Sequence, residues 1–209
     1  MKQSAMCSGV SVTDLSIGGI STYLGEMAGS GPWSVSPGAN ALRLEYYVDG
    51  ALRSIEDRTG SSGSWYFSTT GIACGPRNFT VRAFPMVVDS AGNRTVCVDM
   101  PRSVAQTVTE ACPALSVSMS CARSTSTYIR CTASATGGSG SYTPYWQEWQ
   151  YGSPLGWYAG GMVESLFCPT PSATSGANTT RKFEFKVTDS IGTTSNIVSR
   201  SFSCRNDMQ

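Results

Sequence analysis

Histidine is absent from the 209 residues of this chain. Without it the chain cannot form Ser-His-Asp or Cys-His catalytic groups or a histidine-ligated zinc site, and it lacks the usual side chain for proton transfer near neutral pH. Charged residues make up only 14% of the chain, with a formal net charge of +1, and the basic residues form no run. Nucleic acid and acidic lipid surfaces are therefore not expected partners.

Long apolar runs are also missing, so we expect no membrane insertion. Residues 1–9, MKQSAMCSG, contain no apolar core of the length that a signal peptide needs, which predicts a longer natural precursor. No dense acidic array of the DxDxDG kind and no facing pair of carboxylates can be recognised. The sequence thus indicates no catalytic residue, no metal site and no cofactor. The carboxylates at predicted turns are expected to be hydrogen-bonding turn residues: Asp49, Glu56, Asp57, Asp89, Asp99 and Asp189.

Cysteine, by contrast, is abundant, and its eight residues show no CxxC spacing of a zinc knuckle or thioredoxin-like site. In a chain rich in Ser, Thr and Gly, this pattern predicts disulfide bonds and an oxidising, extracellular or cell-surface location. The disulfide candidates are Cys7, Cys74, Cys97, Cys112, Cys121, Cys131, Cys168 and Cys204.

An internal repeat sets the domain organisation. The segment FTVRAFPMVVDSAG at residues 79–92 is matched by FEFKVTDSIG at residues 183–192, and both are alternating strands that run into Asp-Ser-x-Gly. The turns are a hundred residues apart, about the length of one β-sandwich domain. The repeat therefore predicts two domains, residues 1–110 and 111–209, each with a hairpin between its last two strands.

Strand patterns support an all-β fold. ALRLEYYVDG at residues 41–50 alternates and then closes a hairpin at Asp49-Gly50, while residues 21–31 show no clear period and fit either a short helix or an irregular crossover. Pro85 lengthens the approach to the first Asp-Ser-x-Gly turn and predicts a bulge or an edge segment.

The order of these motifs resembles a known family. A strand with a YYVDG turn, a Trp-containing strand SWYFSTT, then FTVRA and DSAGN resembles the immunoglobulin-like domains of bacterial secreted and surface proteins over residues 42–96. CTASATGGSGSYTPYWQ resembles immunoglobulin-like or polycystic-kidney-disease-like repeats, over residues 115–204. The resemblance implies two tandem immunoglobulin-like β-sandwich domains, disulfide-stabilised, in an exported bacterial protein.

In sandwiches of this kind the first and last strands of a module can be neighbours. Cys7 and Cys97 are 90 residues apart and Cys112 and Cys204 are 92 apart, which favours one bond closing each module. A hairpin bond between Cys121 and Cys131 competes with one between Cys131 and Cys168, and Cys74 has no assigned partner.

The densest aromatic segment, YTPYWQEWQYGSPLGWY at residues 142–158, is the candidate binding site. Exposed aromatic faces on a sheet can stack on sugar rings, and Gln147, Glu148 and Gln150 could bond hydroxyl groups beside them. At least one Trp is nevertheless expected in the core, with Trp146 opposite in face to Tyr145 and Trp149. The candidate ligand-binding residues are Tyr145, Trp146, Trp149, Tyr151, Trp157 and Tyr158.

These observations predict a non-catalytic extracellular protein that serves binding, adhesion or spacing, with an extracellular glycan or protein surface as partner. The alternative is a structural subunit of an extracellular filament, in which other copies of the chain are the partners and the first thirty residues add a strand to a neighbour.

Overall fold

The structure is a computed structural model that describes residues 6–171 and 178–205. The chain separates into two compact units, Met1–Ala111 and Cys112–Gln209, and each unit has its own hydrophobic core.

Unit 1 is a sandwich of two antiparallel sheets. Its strands are β1 Val12–Leu15, β2 Gly19–Tyr23, β3 Glu26–Val35, β4 Ala41–Val48, β5 Ala51–Thr59, β6 Ser62–Thr69, β7 Gly75–Val88, β8 Arg94–Val96 and β9 Arg102–Glu110. In the smaller sheet, β3 pairs with β1 and β2 on one side and with β6 on the other. The larger sheet has the order β5-β4-β7, and β7 then pairs with β9 along its first half and with β8 along its end.

Unit 2 is built in the same way. Its strands are β10 Ser116–Arg123, β11 Tyr128–Thr136, β12 Tyr142–Gln150, β13 Ser153–Ala159, β14 Val163–Phe167, β15 Asn178–Asp189 and β16 Val198–Arg205. The three-stranded sheet has the order β10-β11-β14, and the four-stranded sheet has the order β13-β12-β15-β16. The order β13-β12-β15-β16 of unit 2 matches β5-β4-β7-β9 of unit 1, and β11 lies between β10 and β14 as β3 lies between β2 and β6, while unit 1 has β1 and β8 in addition. The shared arrangement confirms the predicted all-β fold of two tandem immunoglobulin-like sandwiches.

Alternation of apolar side chains explains why these segments pair as they do. In β4, Leu42, Leu44, Tyr46 and Val48 are all at most 1% exposed and face the unit 1 core, where Tyr46 stacks on Phe67 with 4.8 Å between ring centroids. Such a pattern fixes the register, because a slip of one residue would turn every apolar side chain towards solvent.

The repeated Asp-Ser-x-Gly turns have the same geometry in both units. Asp89 Oδ1 accepts hydrogen bonds from the backbone N–H groups of Ala91 and Asn93, and Asp189 Oδ1 accepts them from Ile191 and Thr193. The glycines that follow, Gly92 and Gly192, have φ angles of 84° and 88°, values that residues with a Cβ atom rarely adopt. The second turn is also bonded to its neighbours, since Asp189 Oδ2 accepts from the N–H of Ser139 at 3.0 Å.

The disulfide pairing agrees with the sequence in part. The predicted bonds Cys7–Cys97 and Cys121–Cys131 are present. The predicted Cys112–Cys204 bond is wrong, because Cys204 is bonded to Cys168. The backbone places these two together: the N–H of Arg205 donates to the carbonyl oxygen of Pro169, so the end of β16 lies beside the residues that follow β14. Cys74 and Cys112 are also disulfide-bonded.

Two local predictions are wrong, and a third is correct in one of its two alternatives. Residues 21–31 form neither a helix nor a crossover, but the β2–β3 hairpin, which turns at Leu24 and Gly25. Pro85 lies in a regular pairing with Leu42, so the predicted bulge is wrong, but neither β8 nor β9 pairs with it on the other side of β7, as the alternative of an edge segment requires. It stands where β7 changes partner from β9 to β8, so its missing N–H interrupts neither ladder. Glu56 and Asp57 lie within β5 and not at a turn.

Within the described residues, no helix combines the length and the hydropathy that crossing a bilayer requires.

Candidate functional site

The aromatic segment forms the hairpin β12–β13 at one edge of the four-stranded sheet of unit 2. Alternation along β12 sends Trp146 inward and Tyr145, Gln147 and Trp149 outward. Trp146 is 1% exposed, its ring centroid lies 4.6 Å from that of Phe185, and its Nε1–H donates to the carbonyl oxygen of Gly161 at 2.8 Å. Trp146 is therefore the core tryptophan, and its prediction as a ligand contact is wrong because it has no surface to offer.

The neighbouring strands complete a solvent-facing surface, because residues directly paired across a sheet lie on the same face. Tyr145, Gln147 and Trp149 pair with Lys186, Glu184 and Lys182 of β15, and Gln147 also pairs with Trp157 of β13. Ser199 and Ser201 of β16 pair with Glu184 and Lys182. We call this surface the aromatic face: Tyr145, Gln147, Trp149, Trp157, Lys182, Glu184, Lys186, Ser199 and Ser201.

Trp149 is fixed by two charged neighbours. Its Nε1–H donates to Glu184 Oε2 at 2.7 Å, and the ammonium group of Lys182 lies 3.8 Å from its ring centroid. Lys182 Nζ also pairs with Glu184 Oε1 at 2.8 Å. Burial raises the pKa of Glu184, but the hydrogen bonds from Lys182 and Trp149 outweigh it, and the net pKa is lowered. The carboxylate is thus ionised at neutral pH.

The ring of Trp157 lies beneath a second ammonium group, that of Lys186. Lys186 Nζ lies 4.2 Å from the centroid of the Trp157 ring. Among the described residues, Lys186 forms no ion pair with a carboxylate, so its charge is balanced only by the ring quadrupole and by water. The aromatic face therefore has two lysines against one glutamate. Both indoles are half-buried, as expected for rings that lie under lysine side chains.

The other predicted residues lie away from this face. Tyr151 is 61% exposed in the β12–β13 turn, at a φ of 52°. Tyr158 pairs with Trp146, on the opposite side of the sheet from Trp157, and is 40% exposed. Burial and the nearby carboxylates Glu148 and Glu164 raise the pKa of Tyr158 to about 12.

Glu148 was predicted to bond sugar hydroxyls, but it pairs with the core residue Phe183 and so lies on the inner side of β12. Gln150 lies two residues beyond Glu148 in the same strand and therefore shares that side. Of the three predicted polar partners, only Gln147 faces the same side as Trp149, and it is 8% exposed there, so its amide offers little surface to a sugar.

Sequence reasoning missed Lys182, Glu184 and Lys186 as members of the site. Their signal was present in RKFEFKV, because the three charged residues alternate with the core residues Phe183, Phe185 and Val187. Pairing of this strand with the aromatic strand β12 could not be derived from that alternation alone.

The carboxylates elsewhere serve structure. Asp57 accepts from Arg43 at 2.8 Å and from Arg94 at 3.2 Å, and the Arg43 hydrogen bond holds the pKa of Asp57 below its ordinary value. Asp49 accepts from the N–H of Asn78 and from Arg77. In residues 6–171 and 178–205, no three side chains of the metal-binding types lie close enough to hold an ion.

Comparisons with known proteins add little to this geometry. The chain matches no protein-family model and no curated protein sequence. Among solved structures it is similar to the fibronectin(III)-like modules of Clostridium thermocellum CbhA, at 17% identity, a TM-score of 0.31 and coverage of 94% of each chain. It is also similar to the FN1–FN3 domains of chicken CNTN1, at 13% identity and a TM-score of 0.33, over 91% of this chain and 66% of that one. A β-D-glucuronidase from Dictyoglomus thermophilum matches at 12% identity and a TM-score of 0.28, over 87% of this chain and 37% of the enzyme.

Proposed function

We propose that this protein acts outside the cell as a non-catalytic binding module, and that the aromatic face of unit 2 is a carbohydrate-binding surface. The observation that carries the proposal is the position of Trp149 and Trp157. Trp146 already fills the core, so these two indoles are not needed there, yet both stand on the solvent side of one sheet. Aromatic rings on the outer side of a sheet, with polar groups beside them, suit a chain of sugar rings.

The polar groups on the face support the same ligand class. Ser199 and Ser201 of β16 are exposed and extend the surface away from the indoles, beside Glu184 and Lys182. These side chains offer both donors and acceptors, which is what sugar hydroxyl groups require. The eight disulfide-bonded cysteines support export, since such bonds persist in oxidising compartments.

A role as spacer or adhesin remains compatible with this proposal, because rigid sandwiches can present a binding face away from a surface. The filament alternative loses its expected mechanism. The first thirty residues were predicted to add a strand to a neighbouring copy, whereas β1 and β2 and the start of β3 pair within their own sheet.

The test is binding of the full chain to a glycan array, compared with its Trp149→Ala and Trp157→Ala variants. Loss of either indole should weaken the signal roughly tenfold or more, equivalent to about 1.4 kcal/mol. The control is Tyr66→Ala, which removes an aromatic side chain that is 61% exposed on β6 of unit 1. Size-exclusion chromatography of the same samples tests the filament alternative, since an assembling species would favour it over a monomeric binding module. An array that stays silent with folded protein would refute carbohydrate binding.

A further inference from the structure

The indole faces on which a sugar would stack are covered by ammonium groups. Lys182 lies over Trp149 and Lys186 lies over Trp157, at 3.8 and 4.2 Å from the ring centroids. Each such contact is stabilised by attraction between the ammonium charge and the ring quadrupole. A neutral sugar that stacks on a ring from this side must displace the ammonium group and gains nothing from it in return.

An acidic sugar can compensate for the displaced ammonium group. Its ring can contact the indole while its carboxylate pairs with the displaced ammonium group, so that the charge is compensated after displacement. From the charges and geometry of this face, we infer that the aromatic face selects anionic glycans of the uronate class. This inference rests on the proposed function of the same face and names its ligand chemistry.

The two lysines are not equivalent in this scheme. Lys182 is already paired with Glu184, and that carboxylate is held in turn by the Trp149 indole. Lys186 has only the Trp157 ring among the described residues, so it is the cation available to a ligand. Because the lysines are four residues apart on one strand, their Cα atoms are separated by about 13 Å. The site is therefore extended along β15 and suits an oligosaccharide with repeated carboxylates rather than a single acidic sugar.

The test uses one sugar chain in two charge states. A hexamer of 1→4-linked galacturonate and the same hexamer with its carboxylates methyl-esterified are titrated into the full chain by calorimetry, at 20 and at 200 mM salt. Pairing of the ligand carboxylates with the displaced ammonium groups, chiefly that of Lys186, predicts that the acid binds roughly tenfold more tightly than the ester at low salt. The preference should shrink at high salt because the charges are exposed.

Two variants shift the preference in opposite directions. Lys186→Gln removes the available charge and should reduce the preference for the acid roughly threefold, without weakening the ester. Glu184→Gln keeps an acceptor for Trp149 and removes the only carboxylate of the aromatic face, so it should strengthen binding of the acid. A merely structural role of these residues would not move the affinities for acid and ester apart. Arg130→Gln is the charge-matched control, since Arg130 is exposed on β11 of the other sheet.

Each result has one meaning. Equal affinities for acid and ester would overturn the inference and leave carbohydrate binding intact. Equal losses from Lys186→Gln and Arg130→Gln would overturn it as well, because general charge attraction would then account for the preference. If neither hexamer binds and the array is also silent, both the proposed function and the inference that rests on it are refuted. Thermal unfolding of each variant checks the fold, and Lys182→Gln replaces Lys186→Gln if the latter is destabilised.

Discussion

Unit 2 contains two disulfide bonds of very different span, and we predict that their removal has unequal costs. Cys168–Cys204 joins residues 36 apart in sequence, whereas Cys121–Cys131 joins residues only 10 apart. In the chain-entropy description, cross-linking restricts the unfolded chain, and the loss on removal is about 3.8 kcal/mol for the longer loop and about 2.7 kcal/mol for the shorter one.

Packing increases this difference. Both sulfurs of the longer bond belong to fully buried residues, since Cys168 and Cys204 are 0% exposed. In the shorter bond Cys131 is buried but Cys121 is only half-buried. Replacement by alanine therefore opens more space in the core at the longer bond. The Cys168→Ala, Cys204→Ala double variant should be less stable than the Cys121→Ala, Cys131→Ala double variant by at least about 1 kcal/mol, or roughly fivefold in the unfolding equilibrium.

The assay must report on unit 2 alone. Urea titration with pulsed hydrogen–deuterium labelling, followed by mass spectrometry of peptides from β12 and β15, does so, because both strands lie in the core sheet of that unit. The matched comparison is within one unit, so the reference transition is the same for both variants. Equal midpoints, or a greater loss from the shorter bond, would show that loop length and burial do not govern the contribution of these bonds.

Three further predictions use the same labelling assay, with peptides of β4 and β7 added to report on unit 1. Trp146→Ala should destabilise the unit by about 3 to 5 kcal/mol, since it empties a core position and leaves the Gly161 carbonyl oxygen without its donor; a loss below 1 kcal/mol would contradict its role as core residue. Asp189→Asn should lower the unfolding midpoint of unit 2 more than Asp89→Asn lowers that of unit 1, because Asp189 is buried and accepts backbone N–H groups with both carboxylate oxygens, whereas Asp89 is half-buried and accepts them with Oδ1 alone; equal shifts would refute this. Burial raises the pKa of Glu148 above its ordinary value of 4.5, although Arg181 partly offsets it, so the folded protein holds this proton more tightly than the unfolded chain. The stabilisation that this bound proton provides is fully present below pH 4.5 and is lost as the pH rises through the raised pKa. Glu148→Gln should therefore abolish this pH dependence and stabilise the unit at pH 7, and an unchanged pH profile of stability would contradict the role of Glu148.

Most of the fold could be predicted from side-chain alternation and turn chemistry. The strand from Ala41 to Val48 has a polar residue between successive apolar ones, and Asp49-Gly50 follows it with both φ angles positive, 51° and 78°. The Asp-Ser-x-Gly turns were recognisable because Asp bonds the backbone ahead of it and Gly supplies the positive φ. These signals are local, so no knowledge of tertiary contacts was needed.

What could not be predicted depends on long-range contacts or on weak local signals. The β2–β3 hairpin turns at Leu24-Gly25, where a non-glycine residue adopts a φ of 49° and is 82% exposed, and neither feature has a sequence signature. The partner of Cys204 depends on which strand ends meet, and Cys112 has a spacing as plausible as that of Cys168. On the aromatic face, the alternation of β12 predicted Trp149 outward, but the lysines over the indoles follow from the pairing of β12 with β15.

The Cys7–Cys97 bond has a mechanical consequence. When force is applied to the chain on either side of unit 1, the load passes directly from Cys7 to Cys97 through the covalent bond, and the residues between them carry no tension. At about 3.4 Å per residue, a bond across 90 residues prevents roughly 300 Å of chain extension. Strands β1 to β8 therefore stay folded under a pull that would stretch an unbonded sandwich.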